Sequence, residues 1–207
     1  MDKHNPPAPA TISRGQRERR NGHGAAVLLL TGLSGAGKST LAHGLARRLF
    51  DLGLHSYVLD GDELRGGLNA DLGFSPQDRR ENLRRSAEAA RLLADSGALV
   101  IAALIAPLAE SRGYWRERVG VAFFEVWCCA SLQVCEARDA KGLYARARAG
   151  EIADFTGISA PYEAPQRAEL VIDSGRCGIE ESIELLLQML RRRGVLAADG
   201  QAGPVQG

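Results

Sequence analysis

The sequence predicts an α/β fold, a three-layer sandwich in which a mainly parallel, five-stranded sheet lies between two layers of helices. Short apolar runs of strand length alternate along the chain with longer segments whose apolar residues recur at helical spacing. A glycine-rich loop joins the first such run to the first such segment, and polar residues or proline end the next two runs. Strands joined by helices pair in parallel, and ligands bind beyond the carboxyl ends of such strands.

Five apolar runs account for the predicted strands, at residues 26–31, 56–59, 99–106, 123–127 and 170–173. The first run is apolar throughout, as expected of a strand buried on both faces. Helices are predicted at residues 41–50, 78–95, 109–119, 131–137 and 179–192. Asp78 is the expected N-cap of the second helix, and Gly97 is expected to close it.

The remaining segments define the predicted domain boundaries. Residues 1–24 are basic and proline-containing and are predicted to be a disordered tail, and residues 194–207 to be a flexible C-terminal tail. Residues 25–193 form one domain, which fits a chain of 207 residues. Within it, residues 139–169 are irregular apart from a short helix candidate at 145–151. Such a segment favours a mobile lid that closes on an anionic ligand. A solvated surface excursion is the alternative.

Charge and cysteine usage narrow the class of protein. The net charge of +1 argues against nucleic acid as a partner. A membrane span is not expected, since the apolar stretches are too short, and a signal peptide is not expected, since the N-terminal segment lacks an apolar core. Four cysteines without metal-ligand or Cys-x-x-Cys spacing are expected to be reduced thiols, which predicts a cytoplasmic protein.

The loop after the first strand fits the phosphate-binding P-loop pattern Gly-x-x-x-x-Gly-Lys-Ser/Thr. Its glycines allow backbone N–H groups to turn inward around phosphate oxygens, and the following helix adds partial positive charge. Lys38 is expected to contact the β- and γ-phosphates, and the Ser39 hydroxyl to ligate Mg²⁺. A chance match is the alternative, but the flanking strand and helix argue against it. The predicted ATP-binding residues are Gly32, Leu33, Ser34, Gly35, Ala36, Gly37, Lys38, Ser39 and Thr40.

Two carboxylates follow the second predicted strand. Asp60 and Asp62 are two residues apart at a strand end, so both can approach one site. In phosphoryl transfer such carboxylates organise Mg²⁺ or accept the proton of the acceptor hydroxyl. A turn-capping Asp-Gly-Asp is the structural alternative.

The region beyond Asp62 contains cations and a loop phenylalanine. Arg65 and Arg79 carry guanidinium groups suited to phosphate and sulfate oxygens, and Asn82 lies close by in the sequence. Phe74 in this region and Phe155 in the predicted lid are candidates for stacking on a base, although each alone is more often a packing residue.

In combination these motifs resemble the adenylyl-sulfate kinase (APS kinase) family. The resemblance runs from about residue 27 to residue 173 and is carried by residues 32–40, 59–65, 71–75, 78–85, 135–139, 141–144, 147–158 and 162–165. It implies a P-loop NTPase/kinase-like fold and ATP-dependent phosphorylation of the 3′-hydroxyl of adenosine 5′-phosphosulfate (APS) in sulfate assimilation.

The resemblance also implies roles for individual residues. Lys38 and Asp62 would be catalytic with support from Asp60, and Ser39 and Asp62 would hold Mg²⁺. The substrate side would be formed by Arg65, Phe74, Arg79, Asn82, Ile105, Lys141, Leu143 and Phe155, with the two phenylalanines on either side of the adenine. A homodimer and an association with ATP sulfurylase are left open as partner arrangements.

One departure from the family pattern bears on mechanism. Ala106 stands where the family commonly has serine, a residue that has been described as a phosphorylated intermediate, and Ala109 replaces an arginine. Because in-line transfer between two bound nucleotides needs no covalent step, we predict an active enzyme without a phosphoserine. The alternatives are a kinase of the same fold acting on another small metabolite, and a non-catalytic nucleotide-binding homologue.

Overall fold

The computed structural model describes residues 12–139 and 141–197. Its centre is a five-stranded sheet in the order β2-β3-β1-β4-β5, and every neighbouring pair is parallel. The strands are β1 Ala26–Thr31, β2 Ser56–Asp60, β3 Leu99–Ala103, β4 Ala122–Cys128 and β5 Leu170–Ile172. The predicted fold class and strand count are therefore confirmed.

Helices connect the strands and cover both faces of the sheet. In chain order they are α1 Arg14–Asn21, α2 Lys38–Asp51, α3 Gly61–Gly66, α4 Pro76–Asp95, α5 Ala109–Arg118, α6 Leu132–Arg138, α7 Leu143–Arg148 and α8 Ile179–Arg192. α8 has the predicted bounds, and α5 and α6 lie within one residue of theirs.

The alternation of side chains along β1 divides the core into two layers. Leu28 and Leu30 point to the layer formed with α2 and α8, while Val27 and Leu29 point to the layer formed with α4 and α5. Every residue of β1 is buried, as expected of a central parallel strand. Trp115 of α5 is fully buried in the second layer, and its Nε1–H donates to the Leu83 carbonyl at 3.0 Å. The core thus holds the carboxyl ends of the strands in fixed positions.

Several predicted boundaries are corrected. β3 ends at Ala103 rather than 106, because the chain leaves the sheet before Pro107. α4 begins at Pro76, since the hydroxyl of Ser75 accepts the Asp78 N–H and makes Ser75, not Asp78, the N-cap. The predicted helix at 145–151 is observed at 143–148, and α3 was not predicted, because only the cap at Asp60 marks it.

The tail predictions are wrong where the structure describes those residues. Residues 14–21 form α1, which begins with a capping box between Ser13 and Gln16 and docks through an Asn21 Nδ2–H bond to the Gly97 carbonyl. At the other end, Val195 and Leu196 are buried in the core. Both errors arose because short docked segments lack long apolar periodicity. Residues 1–11 and 198–207 lie outside the described residues.

The described part of the chain contains no helix long and apolar enough to cross a bilayer. The loops at the carboxyl edge of the sheet include the P-loop after β1, α3 after β2 and residues 104–108 after β3. These loops surround the cavity considered next.

Candidate active site

A cavity of about 1050 Å³ opens at the carboxyl edge of the sheet. The predicted site residues that line it are Ser34, Gly35, Gly37, Lys38, Ser39, Thr40, Asp60, Asp62, Arg65, Phe74, Arg79, Asn82, Ile105, Lys141, Leu143 and Phe155. Gly32, Leu33 and Ala36 are not among the described lining residues. One cavity therefore joins the predicted nucleotide loop to the predicted acceptor residues.

The P-loop requires glycine for a steric reason. A Cβ atom on Gly32 would lie 2.5 Å from the Cys128 carbonyl oxygen, and one on Gly35 would lie 2.9 Å from the Cys135 carbonyl oxygen. Gly37 has φ +82° and forms the N-cap of α2, so the first turn of this 14-residue helix begins directly at the cavity. Free N–H groups at a helix N-terminus favour an anionic ligand.

Lys38 is buried and folded back onto its own loop. Its Nζ donates to the carbonyl oxygens of Gly32 at 3.0 Å and Leu33 at 2.7 Å. Loss of hydration lowers the pKa of Lys38 from 10.5 to about 8, although Cys128, Cys135 and the site carboxylates oppose the shift. The ammonium is held at the P-loop and would gain stabilisation from a bound polyphosphate.

Ser39 and Asp60 come together at the entrance to α2. The Ser39 hydroxyl donates to Asp60 Oδ2 at 2.6 Å, and Asp60 Oδ1 accepts the Asp62 N–H at 2.9 Å. Asp60 is buried and caps α3, so the capping role weighed as the alternative is present together with the contact to Ser39. A hydroxyl and carboxylate oxygens beside a phosphate loop fit Mg²⁺, which keeps waters and takes phosphate oxygens as further ligands.

Asp62 lies at the mouth of the cavity and is largely exposed. Its Oδ2 accepts a hydrogen bond from the ammonium of Lys141, which belongs to the predicted lid. Of the two carboxylates, the structure thus places Asp60 against Ser39 and Asp62 against the lid. Among the described residues no cluster of three His, Cys, Asp or Glu side chains forms a metal site by itself.

The two phenylalanines reach the same cavity in different ways. Phe74 is 64% exposed, and the guanidinium carbon of Arg65 lies 4.3 Å from the centre of its ring. Phe155 is buried and packs edge-to-face on Tyr144, with ring centres 5.0 Å apart. The exposed ring of Phe74 can exchange Arg65 for another stacking partner, and the ring of Phe155 is held in place by Tyr144. This arrangement fits a clamp for a planar ligand.

Arg79 joins the surroundings of these two rings. Its Nε donates to the Phe74 carbonyl oxygen and its Nη2 to the Asp154 carbonyl oxygen, both at 2.8 Å. Asn82 is buried, and its Oδ1 accepts from Asn69 Nδ2 at 2.9 Å. Both predicted residues line the cavity, but in this structure the Arg79 guanidinium and Asn82 Oδ1 bind other groups of the protein.

Sequence reasoning missed the residues that support the P-loop from outside. Arg138 Nη1 donates to the Gly35 carbonyl, the Ser174 hydroxyl donates to the Ala36 carbonyl at 2.8 Å, and the Tyr144 hydroxyl donates to the Ser34 carbonyl at 2.9 Å. Arg138 and Tyr144 lie in the stretches that carried the family resemblance, but Ser174 follows β5 with no local signal.

The parallel sheet and the glycine loop define a P-loop protein of the kinase-like class. A sequence model of the adenylylsulphate kinase family matches residues 24–173. The chain belongs to the adenylyl-sulfate kinase family.

Individual relatives cover most of the chain. It is 60% identical to an adenylyl-sulfate kinase of Paraburkholderia xenovorans over 165 residues, which cover 80% of this chain and 92% of the relative. It is 52% identical to an adenylyl-sulfate kinase of Geotalea uraniireducens over 186 residues, covering 87% and 89%. The structure of the Mycobacterium tuberculosis APS kinase in complex with AMPPNP and APS superposes with a TM-score of 0.78 at 50% identity, covering 82% of this chain and 98% of that one.

Proposed function

We propose that this protein transfers the γ-phosphate of ATP to the 3′-hydroxyl of APS, giving 3′-phosphoadenosine 5′-phosphosulfate and ADP. The observation that carries the proposal is the single cavity that joins the P-loop to Phe74 and Phe155. The family supports it, because the M. tuberculosis relative is described in complex with AMPPNP and APS. Two nucleotides fit a cavity with a phosphate loop at one end and an aromatic clamp at the other.

The P-loop side binds the donor. Backbone N–H groups of the loop and of the first turn of α2 hold the phosphates, and Lys38 turns from the Gly32 and Leu33 carbonyls toward them. Ser39, backed by Asp60, would hold Mg²⁺ together with Asp62. Mg²⁺ held there would supply charge neutralisation for the transferring phosphate. The protein contributes mainly position and charge, as phosphoryl transfer requires.

Asp62 accepts the proton of the attacking hydroxyl. It stands at the N-terminus of α3, where its main-chain N–H is fixed by Asp60 at 2.9 Å. Its pairing with Lys141 gives the lid a charged contact at the reaction site. Closure of the lid over both nucleotides would bring Lys141 to the transferring phosphate or the sulfate and exclude water.

Phe74 and Phe155 clamp the adenine of APS. Arg65 covers one face of Phe74 in this structure, so the base takes the place of a guanidinium. Arg65 then becomes available to the phosphosulfate, and Arg79 joins it by giving up its bonds to the Phe74 and Asp154 carbonyls. Asn82, Ile105 and Leu143 complete the wall of the pocket. Exchange of one stacking partner for another limits the desolvation cost of binding.

Transfer is direct, without a phosphorylated protein. Ala106 lies at the cavity wall, is 2% exposed and carries no hydroxyl that could accept a phosphate. With donor and acceptor in one cavity, the 3′-oxygen can attack the γ-phosphorus in line.

A purified-protein assay with ATP and Mg²⁺ tests the proposal by following ADP release in the presence of APS or of other small alcohols. We expect turnover with APS. Turnover only with another alcohol would favour a small-metabolite kinase of the same fold. ATP binding without any turnover would favour a nucleotide-binding homologue.

Partner arrangements are a separate part of the proposal. A homodimer and an association with ATP sulfurylase, each left open by the sequence, are tested by light scattering of the protein alone and after mixing with ATP sulfurylase. A monomeric mass for the protein alone would reject the homodimer, and a mixture that shows only the masses of the two separate proteins would reject the association.

A further inference from the structure

The inner wall of the acceptor pocket is formed by a strained loop. The β3–α5 loop (residues 104–108) supplies Ile105, Ala106 and Pro107 to the cavity. Ala106 has φ +41°, in a region that residues with a Cβ rarely adopt. Such a conformation persists only where neighbouring groups impose it.

Arg112 imposes part of that conformation. Its side chain is 3% exposed, and its Nη1 donates to the Ala106 carbonyl oxygen at 2.9 Å. Its Nε donates to Glu125 Oε1 at 2.6 Å, so the charge that holds the loop is itself balanced inside the protein. Because Glu125 of β4 fixes the orientation of the guanidinium, Arg112 holds the Ala106 carbonyl, and with it the loop, in one position.

The same guanidinium reaches a second segment. Arg112 Nη2 donates to the Glu163 carbonyl oxygen at 2.8 Å. Residues 161–165, named here the anchor segment, are also tied directly to the loop region: the Glu163 N–H donates to the Pro107 carbonyl, and Glu163 Oε2 accepts the Ala109 N–H at 2.7 Å. The anchor segment follows the predicted lid residue Phe155 by only a few positions.

A hydroxyl relay extends the network to the P-loop strand. Tyr162 Oη lies 3.0 Å from Thr31 Oγ1, and Thr31 donates to the Ile105 carbonyl oxygen at 2.6 Å, which leaves the Tyr162 hydroxyl as the donor to Thr31. Burial raises the pKa of Tyr162 to about 12, so the hydroxyl keeps its proton at neutral pH. Thr31 is the last residue of β1, so the relay anchors the network to the central strand of the sheet.

We propose that Arg112 is a positioning residue for the acceptor: it fixes the β3–α5 loop against the anchor segment and thereby sets the pocket wall that receives APS. The proposal rests on the proposed function. It explains how a chain with alanine at 106 holds this wall, since Arg112 acts through the main-chain carbonyl of residue 106 and needs no side chain there.

Kinetics of Arg112→Lys test the proposal, because lysine keeps the charge beside Glu125 but cannot serve both carbonyls. We expect KM for APS to rise about tenfold and KM for ATP to change by less than about twofold, the pattern of a misplaced acceptor wall. Tyr162→Phe removes only the relay, and we expect a rise in KM for APS of about threefold, again without a change for ATP.

Arg116→Lys is the matched control. Arg116 lies one turn further along α5 and pairs with Glu169 at 2.8 Å and Glu125 at 3.7 Å. Arg116 approaches Glu125 at Oε2, whereas Arg112 binds Oε1, and neither Glu125 nor Glu169 belongs to the described lining of the cavity. We expect this variant to leave both KM values unchanged, even where its thermal stability falls.

The proposal is overturned if KM for APS stays at the wild-type value in folded Arg112→Lys. It is also overturned if the KM values for APS and ATP rise in parallel in both Arg112→Lys and Arg116→Lys. If Arg112→Lys does not fold, Tyr162→Phe decides on the same criterion. Amide hydrogen exchange tests the positioning role of Arg112 independently of the proposed function. Without ligand, the Glu163 and Ala109 amides should exchange faster in Arg112→Lys than in Arg116→Lys. Equal rates would refute the claim that Arg112 fixes the loop against the anchor segment, even if the wild type did not use APS.

Discussion

Replacing Lys38 with methionine is expected to stabilise the ligand-free protein while abolishing phosphoryl transfer. Burial lowers the pKa of Lys38 from 10.5 to about 8, so folding places an ammonium where it is poorly solvated. A shift of that size corresponds to about 3 kcal/mol of folding free energy at pH 7. Methionine has a similar length and carries no charge.

The net gain is smaller than that penalty. Methionine leaves the Gly32 and Leu33 carbonyls without the donor they have in the wild type, at about 1 kcal/mol for each hydrogen bond. We therefore expect a gain of about 1 kcal/mol in the free energy of unfolding, which corresponds to a rise in Tm of about 2–4 °C for a domain of this size. The kcat should fall at least about a hundredfold, because charge stabilisation at the phosphates is lost.

The pH dependence of unfolding provides the sharper assay. Because the pKa of Lys38 is lower in the folded protein than in the unfolded chain, the penalty is fully present below pH 8 and disappears as the pH rises to about 10.5. Urea denaturation of the wild type should therefore show a stability gain over this interval that Lys38→Met lacks. Lys141→Met is the control, since it removes an exposed ammonium from the same cavity. A Lys38→Met protein that is less stable than wild type, or that has the same pH dependence, would refute the reasoning.

Three further predictions concern the reaction and the fold. Asp62→Asn should lower kcat by about 10²–10⁴-fold while the Kd for ATP from calorimetry stays within about twofold, and near-normal turnover would remove Asp62 from the role of base. Phe74→Ala should raise KM for APS about tenfold with KM for ATP unchanged, because base stacking is lost; an equal rise for both substrates would place Phe74 outside the acceptor pocket. Burial lowers the pKa of His23, whose Nε2 accepts the His55 N–H, so stability should be lost as pH falls below 6.5. Urea midpoints between pH 5 and 8 measure this loss, and an equally steep dependence in His23→Asn would contradict it.

Local patterns predicted the sheet because each strand is a short apolar run, and the central strands β1 and β3 are buried on both faces. The unbroken run that became β1 fixed the position of the P-loop, and the motif itself placed Lys38 and Ser39 at the cavity. These features depend on residues adjacent in the chain. Periodicity and spacing are sufficient to identify them.

Features that depend on distant partners were not predicted. α1 forms within a segment with almost no apolar residues, because its cap and a bond across 76 positions to Gly97 hold it. Arg79 was expected to face an anion, yet it bonds main-chain carbonyls of Phe74 and Asp154. The Arg112 network joins three elements and leaves no local pattern in any of them. Tertiary contacts of this kind follow from the packed fold.

The central claim is that the γ-phosphate passes directly from ATP to the 3′-oxygen of APS. A single-turnover experiment with γ-³²P-labelled ATP, excess protein, Mg²⁺ and APS measures the transfer itself. The label should appear in 3′-phosphoadenosine 5′-phosphosulfate with the formation of ADP, and acid-precipitated protein should stay unlabelled at every time point. Label that remains on ATP, or that accumulates on the protein before it reaches APS, would contradict the account.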